Sequence, residues 1–475
     1  MTDTIEKRGL VRRAALAAAT GILAFAATAG AALAQEEVAE LSAGDTAWMI
    51  TATALVLMMT IPGLALFYGG MVRKKNFVAM GAQIFAIAAL MSVVWMVIGY
   101  SLAFGDGGSM NAWVGGLDNL FLSGLTVDAL SGTIPESVFM TFQMTFAIIT
   151  AALISGAVAD RVKLSSWIVF LPLWVTFSYF PIAHMVWGGG FIGEHFPAQD
   201  YAGGTVVHIN AGVAGLVLAL IIGRRIGFGK EPMKPHNLPL TMIGAGLLWF
   251  GWYGFNVGSI VFSGSTEEEI VAQFVSETGV TFLNTTMATM AAIIGWLVVE
   301  RLLHGKATSL GAASGIVAGL VAITPACGAV DLEGAIAIGA ISGAVCAWAV
   351  GLKFKLNFDD SLDVVGVHLV GGLVGTVLIG FFSSANAPGG VDGLFYGGGV
   401  DSLVDQVMAA LIAIVWSGVM TAIIALAIKY TIGWRVTDEA EVEGIDSDQH
   451  GEGAYDLHTS LSGGGSSGLL TSKEA

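Results

Sequence analysis

Two histidines carry the chemistry this sequence offers. His208 stands in Val207-His208-Ile209-Asn210-Ala211-Gly212-Val213-Ala214-Gly215, and His368 in Val367-His368-Leu369-Val370-Gly371-Gly372-Leu373-Val374-Gly375. Both stretches follow V-H-x-x-x-G-x-x-G inside long apolar runs, and each histidine has an aspartate eight residues before it, Asp200 and Asp360. An ionisable side chain within an apolar span is costly and by default marks a functional path. A neutral imidazole offers one donor and one acceptor. Two of them can therefore bond each other, fix each other's tautomers, and hand on a small polar molecule or a proton. No further His, Cys or carboxylate lies near them at metal-ligand spacing, so no metal or other cofactor is expected. Cys327 and Cys346 lie in apolar segments and read as core residues.

A second set of residues is aromatic. Phe142 and Phe146 are four apart and share a helix face. Trp187 is followed by Gly188-Gly189-Gly190. Trp252, Phe255 and Ser259 fall at i, i+3 and i+7, again one face. Taken singly, each stripe reads as core or as an interfacial aromatic belt. Together they supply rings and a hydroxyl that can hold a small cation by cation–π attraction and one hydrogen bond. Asp200 can cap the helix that follows it, bias such a cation electrostatically, or do both. His184 has no counterpart in the other half and reads as a hydrogen-bonded structural histidine.

The elements that position these residues are membrane spans. Only 12% of the 475 residues are charged, against about 25% in an ordinary soluble chain. Apolar runs of about 18 residues or more recur throughout. The fold class is all-α and polytopic, with eleven spans at 46–69, 77–104, 136–158, 165–188, 201–222, 238–260, 278–303, 308–327, 333–352, 361–382 and 405–430. Lys and Arg fill alternate loops: Arg73, Lys74, Lys75; Arg161, Lys163; Arg224, Arg225, Lys230, Lys234; Arg301, Lys306; Lys353, Lys355. The intervening loops contain none, and the positive-inside rule places the basic loops in the cytoplasm. Spans one to five (about 46–222) and six to ten (about 238–382) form two halves, with 405–430 as an extra helix. Five is odd, so the halves are inverted relative to each other, an arrangement that puts a site near the midplane at their interface. Residues 1–34 read as a signal peptide: a basic start, an Ala-rich stretch, and Ala32-Leu33-Ala34 before Gln35. The alternative is an uncleaved first span. Cleavage would place the mature N-terminus outside, and residues 431–475 form a polar, acidic cytoplasmic tail. The net charge of −16 carries no basic patch suited to nucleic acid.

These residues resemble the ammonium transporter family, the Amt branch of the Amt/Mep/Rh superfamily, over about 40–456. The motifs that carry the resemblance are Asp200-Tyr-Ala-Gly-Gly-Thr-Val-Val-His208-Ile-Asn210, Ala183-His184-Met-Val-Trp187-Gly-Gly-Gly190, Trp249-Phe-Gly-Trp252-Tyr-Gly-Phe255-Asn256-Val-Gly-Ser259 and Asp363-Val-Val-Gly-Val-His368. In the tail they are Glu443-Gly-Ile-Asp446, His450-Gly-Glu452 and Ala454-Tyr455. The resemblance implies the Amt/Rh fold, a homotrimer with one pore per protomer, and a cell (inner) membrane location. It implies that Phe142, Phe146, Trp187 and Ser259 recruit ammonium, that Phe146 and Phe255 stack as a gate, and that His208 and His368 are twin pore histidines. Thr285 matches a further pore-lining position, beside Trp252. The tail pattern implies a cytoplasmic regulator of the PII class, with no role extended past Tyr455. Tyr253 departs from the phenylalanine frequent in the family.

Three other readings have to be weighed. A passive ammonia channel of Rh type would lack the Trp187 and Ser259 vestibule. An ammonium sensor would carry an added signalling domain. A coupled transporter of another solute would need carboxylates buried in its spans. No nucleophile motif or Walker loop points to an enzyme.

Overall fold

The computed structural model describes residues 41–260 and 266–455. The expected signal peptide at 1–34 and the Gly/Ser stretch at 462–468 lie outside the described residues. Within them, ten helices are long and apolar enough to cross a membrane: α1 (Ala43–Met71), α2 (Lys74–Phe104), α3 (Glu136–Val158), α4 (Leu164–His195), α5 (Gly204–Ile222), α6 (Leu238–Val257), α7 (Glu268–His304), α9 (Leu332–Leu356), α10 (Val365–Phe382) and α11 (Asp401–Thr431), with the shorter α8 (Ser309–Ile323) completing eleven between α7 and α9. A two-stranded hairpin, Leu130–Ser131 with Ile134–Pro135, sits in the α2–α3 connection.

Several spans differ from their expected bounds, α4 running on to His195; two of the differences, at α8 and α7, have a clear physical reason. α8 has 15 residues, about 22 Å of helix, too short for a hydrocarbon core of about 30 Å. Pro325 stops it: Thr324 is still helical at φ −51° and ψ −48°, but proline has no N–H to give to the carbonyl four residues back and its ring clashes there. The irregular backbone that continues inward is tolerated only where protein satisfies it. Asn284 does so, donating from Nδ2 to the carbonyls of Cys327 (2.9 Å) and Val330 (2.8 Å). α7 instead begins ten residues before its apolar stretch. Glu268, Glu269, Gln273 and Glu277 depress the hydropathy of that extension, yet Glu and Gln are good helix formers.

The halves meet at glycine. A Cβ at Gly212 of α5 would lie 2.5–2.6 Å from the backbone and Cβ of Leu369, and one at Gly372 of α10 would lie 3.1–3.2 Å from His208 and Ile209. The first glycine of each V-H-x-x-x-G-x-x-G therefore packs on the turn bearing, or next to, the other motif's histidine. Small residues allow this close approach of helices in lipid.

At the end where Lys and Arg collect, charges are buried but paired. Arg225 bonds Asp359 in a two-pronged fashion (Nε 2.9 Å, Nη2 2.8 Å) and reaches Asp160 at 3.3 Å, which Arg73 also bonds at 3.1 Å. Arg161, fully buried, donates to Ser361 Oγ (2.6 Å) and the Asp359 carbonyl (2.7 Å). This ties the end of α3 to the lead-in of α10. Burial pushes the Asp359 carboxyl up, but Arg225, first by its hydrogen bond and then by its charge, holds it net below its ordinary value. A lowered carboxylate stabilises above its unfolded value, near 4, and that stability is lost as pH falls through the folded value. Melting in detergent between pH 6 and 3 is expected to show Asp359→Asn with a lower melting point at pH 6 and a shallower acid-side decline. An identical pH slope in the two proteins would remove Asp359 from this role.

The tail, described to Tyr455, folds back on the same end. Its helix α12 (Asp438–Glu443) places Glu441 to accept from the N–H of Ile226 (2.7 Å) and from Arg435. Asp446 caps the helical run starting at Phe77, accepting from the N–H of Val78 (3.0 Å) and Ala79 (2.8 Å). Tyr455 closes on His236, with its hydroxyl 3.0 Å from Nε2.

Candidate functional site

The two histidines ride on matching local structures. Each sits in a wide helical turn, Gly204–Ile209 in α5 and Val365–Leu369 in α10. Each turn is capped by its own aspartate. Asp200 accepts from the N–H groups of Gly203, Gly204, Thr205 and Val206. Asp360 accepts from those of Val364 (3.0 Å) and Val365 (2.7 Å). Free helix N-termini need such partners, and the carboxylates complement the positive ends of the helices. The spacing of eight residues is thus the distance from cap to ring.

His208 and His368, 160 residues apart in sequence, come together with Nδ1 to Nδ1 at 3.3 Å and ring centroids 5.3 Å apart at 19°. Both are buried. They line a cavity with Met59, Leu153, Leu248, Trp252, Phe255 and Val317 among its walls, which leaves about 10 Å³ for the centre of a water-sized molecule. That is about the least space that can hold one water. His208 Nε2 has no hydrogen-bond partner, leaving a polar atom free at this position.

A column of rings closes one end. Trp252 stacks on His208 at 5.5 Å, and its indole N–H donates to Thr324 Oγ1 (2.8 Å). Phe255 lies beyond, stacked on Phe146 at 4.2 Å and 19°. Phe146 in turn meets Phe142 edge-on at 5.0 Å and Trp187 edge-on at 5.9 Å. Phe142, Phe146 and Phe255 are buried, whereas Trp187 and Ser259 are only half-buried. Trp187 is oriented by a bond from its indole N–H to the Asp200 carbonyl (2.9 Å), and Ser259 by one to the Phe255 carbonyl (2.7 Å).

Asp200 takes the capping role, one of the two expected of it, and Thr285 stands off the cavity. Asp200 directs its carboxylate at four backbone N–H groups, so it faces the helix and not the ring cluster. Thr285 is not among the cavity's walls. Its hydroxyl donates to the Thr281 carbonyl (2.7 Å) and accepts from Asn256 Nδ2 (3.0 Å), which supports α6 from behind. Sequence reasoning missed Thr324, Asn256 and Asn284. These polar residues in apolar runs are the signal that could have found them.

Residues 47–455 match the model of the Ammonium Transporter Family. The chain belongs to the ammonium transporter family. It is 51% identical over 445 residues to an ammonium transporter of Mycobacterium tuberculosis (strain ATCC 25618 / H37Rv), covering 87% of this chain and 90% of that protein. It is 46% identical over 424 residues to one of Aquifex aeolicus (strain VF5), covering 88% and 95%. Among solved structures, Saccharomyces cerevisiae Mep2 superimposes with a TM-score of 0.78 at 32% identity, covering 89% of this chain and 94% of that one. A chain described as a sensor Amt protein superimposes with a TM-score of 0.76 at 28% identity, covering 86% and 98%. The family match spans α1 through the tail, so it takes in every ring of the column and both histidines.

Proposed function

We propose that this member of the family takes up ammonium and conducts ammonia past the histidine pair. The observation that carries the reading is the imidazole pair at 3.3 Å on the wall of a cavity sized for one small molecule, closed by the Phe146–Phe255 stack. Ammonium binds where Trp187 and Ser259 reach the surface, beside the buried rings of Phe142 and Phe146. Asp200 acts there by fixing Trp187 and through its field. A bare cation entering the apolar section would lose its hydration at a cost of several kcal/mol. Cation–π contacts of about 0.5–2 kcal/mol each offset part of this at the vestibule but not below it. Deprotonation resolves the conflict. Neutral ammonia then needs only the phenyl rings to part and a hydrogen-bond partner in the cavity, which the free Nε2 of His208 supplies. The proton crosses separately by way of the two imidazoles, so transport carries charge.

The basic end faces the cytoplasm of an inner (cell) membrane, with the tail inside and the mature N-terminus outside. The assembly is a homotrimer. The tail docked through Glu441, Asp446 and Tyr455 is the surface for a regulator of the PII class. Growth rescue of a transporter-deficient strain on limiting ammonium, paired with ammonium-evoked current on a solid-supported membrane, tests the function. Rescue without current would favour a passive ammonia channel. Binding with neither rescue nor current would favour a sensor.

The vestibule has its own expected result. Trp187→Leu removes one ring face, so the half-saturating ammonium concentration should rise about 2- to 30-fold, the equivalent of 0.5–2 kcal/mol. Maximal current should stay within a factor of about two if the indole acts in binding alone. An unshifted half-saturation would exclude Trp187 from recruitment.

A further inference from the structure

The connection between α2 and α3 contains no Lys or Arg and carries a series of large apolar side chains turned outward. Met110 is 53% exposed, Trp113 38%, Leu117 56% and Phe121 69%. Its hydrogen bonds fix its level. Gly115 N–H donates to the Leu102 carbonyl (2.8 Å), the Ser101 hydroxyl to the Gly116 carbonyl (2.9 Å), and Asn119 N–H to Ser101 Oγ (3.0 Å). Ser101 and Leu102 belong to the last turns of α2, so the connection lies beside the end of a span and not above it. A second set of bonds pins it to α4. The His184 ring nitrogens lie 3.1 Å from the Ala103 carbonyl and 2.7 Å from the Asn111 carbonyl, and Phe191 N–H donates to the Ala112 carbonyl (2.8 Å).

Trp113 gives the direction. Its ring stacks on Phe191 (5.2 Å, 19°) and on Trp416 of α11 (5.8 Å, 10°). Trp416 sits between Val415 and Val419, which are 62% and 48% exposed on a membrane-spanning helix and therefore face acyl chains. At the far end, Phe121 and Leu122 are both left-handed, at φ 52° and 58°, a conformation disfavoured for bulky residues. It turns Phe121 out while Leu122 packs on the core.

We propose that Met110–Phe121 is an interfacial element, with Met110, Trp113, Leu117 and Phe121 seated in the bilayer leaflet at the base-poor end. The surface is continuous with the lipid-facing side of α11, and tryptophan is enriched at this level of a membrane. The charges of the connection are the acids Asp106, Asp118 and Asp128. Anionic headgroups would repel these, so the partner is a neutral or zwitterionic lipid. The inference concerns position alone and stands apart from the transport reading.

The test uses the full chain in phosphatidylcholine nanodiscs, with a bimane label on Phe121→Cys or, separately, Met110→Cys. Cys327 and Cys346 are fully buried, so the unsubstituted chain is the blank. Val415→Cys marks the lipid face, and Glu439→Cys, in the exposed part of the tail, marks water. Doxyl-labelled phosphatidylcholine should quench labels at 110 and 121 at least half as strongly as at 415. Aqueous iodide should quench them several-fold less than at 439. Iodide quenching equal to that at 439 would overturn the proposal, since the side chains would then stand in water. Protection from both quenchers would overturn it as well, because protein, such as a second copy, would be the cover. Lipid quenching that appears only when anionic lipid is added would overturn the assignment of the headgroup.

Discussion

Ammonium-evoked current is expected to fall at least tenfold when His208 and His368 are both replaced by alanine, with insertion into the membrane unaffected. The argument rests on what the substitution leaves behind. The remaining cavity walls, Met59, Leu153, Leu248, Val317 and their neighbours, present no free donor or acceptor. The Trp252 N–H is already committed to Thr324. A proton delivered at the vestibule then has no group to occupy in the apolar section, and placing it there unaided costs several kcal/mol. A loss of 1.4 kcal/mol is already a factor of ten. Ammonia, being uncharged, should still cross, so uptake driven by an ammonia gradient should survive better than current. Two measurements on the same proteoliposomes separate the outcomes: solid-supported membrane current, and ammonia-driven alkalinisation of the lumen. Undiminished current with unchanged ion selectivity would refute a role for the imidazoles in carrying charge.

The second large effect is expected from one carbon atom. Gly212→Ala places a Cβ within 2.5–2.6 Å of the Leu369 backbone nitrogen, Cα and Cβ. Backbone cannot rotate away as a side-chain tip can, so α5 and α10 must separate. Overpacking of this kind costs about 1–3 kcal/mol, a loss a folded membrane protein can survive. The pair of rings tolerates much less. At 3.3 Å, Nδ1 to Nδ1, a further ångström of separation breaks the hydrogen bond. Current is therefore expected to fall at least tenfold, while the melting point drops only modestly. Gly372→Ala should be milder, because its nearest neighbours stand at 3.1–3.2 Å and include the His208 side chain. Gly246→Ala, which meets nothing within 4 Å, should behave like the parent. If all three variants carried equal current, helix approach at Gly212 could not be what sets the ring geometry.

Much of the fold was legible because the bilayer imposes a length and a composition that hydropathy reports directly. The spans and the odd-numbered halves come from that constraint. Boundaries failed where a different force acted. Pro325 cut α8 short, and Asn284 made the resulting loop tolerable inside the protein. Neither effect is visible in mean apolarity. Conversely, α7 runs on through glutamates that hydropathy rejects but helix propensity accepts.

The site divides the same way. The repeated V-H-x-x-x-G-x-x-G and the preceding aspartates were enough to pair His208 with His368, because an inverted duplication in a slab of fixed thickness leaves few places for two matching residues to meet. What the chain alone could not decide was which neighbour each polar group would choose. Asp200 caps its helix and turns away from the aromatic cluster; Thr285 bonds Thr281 and Asn256 behind the cavity wall; each motif's first glycine admits the opposite helix. Apolar periodicity and topology belong to single segments read against the membrane, so sequence determines them. Hydrogen-bond choice and close contact belong to pairs of segments far apart in the chain, and only their packing in three dimensions decides them.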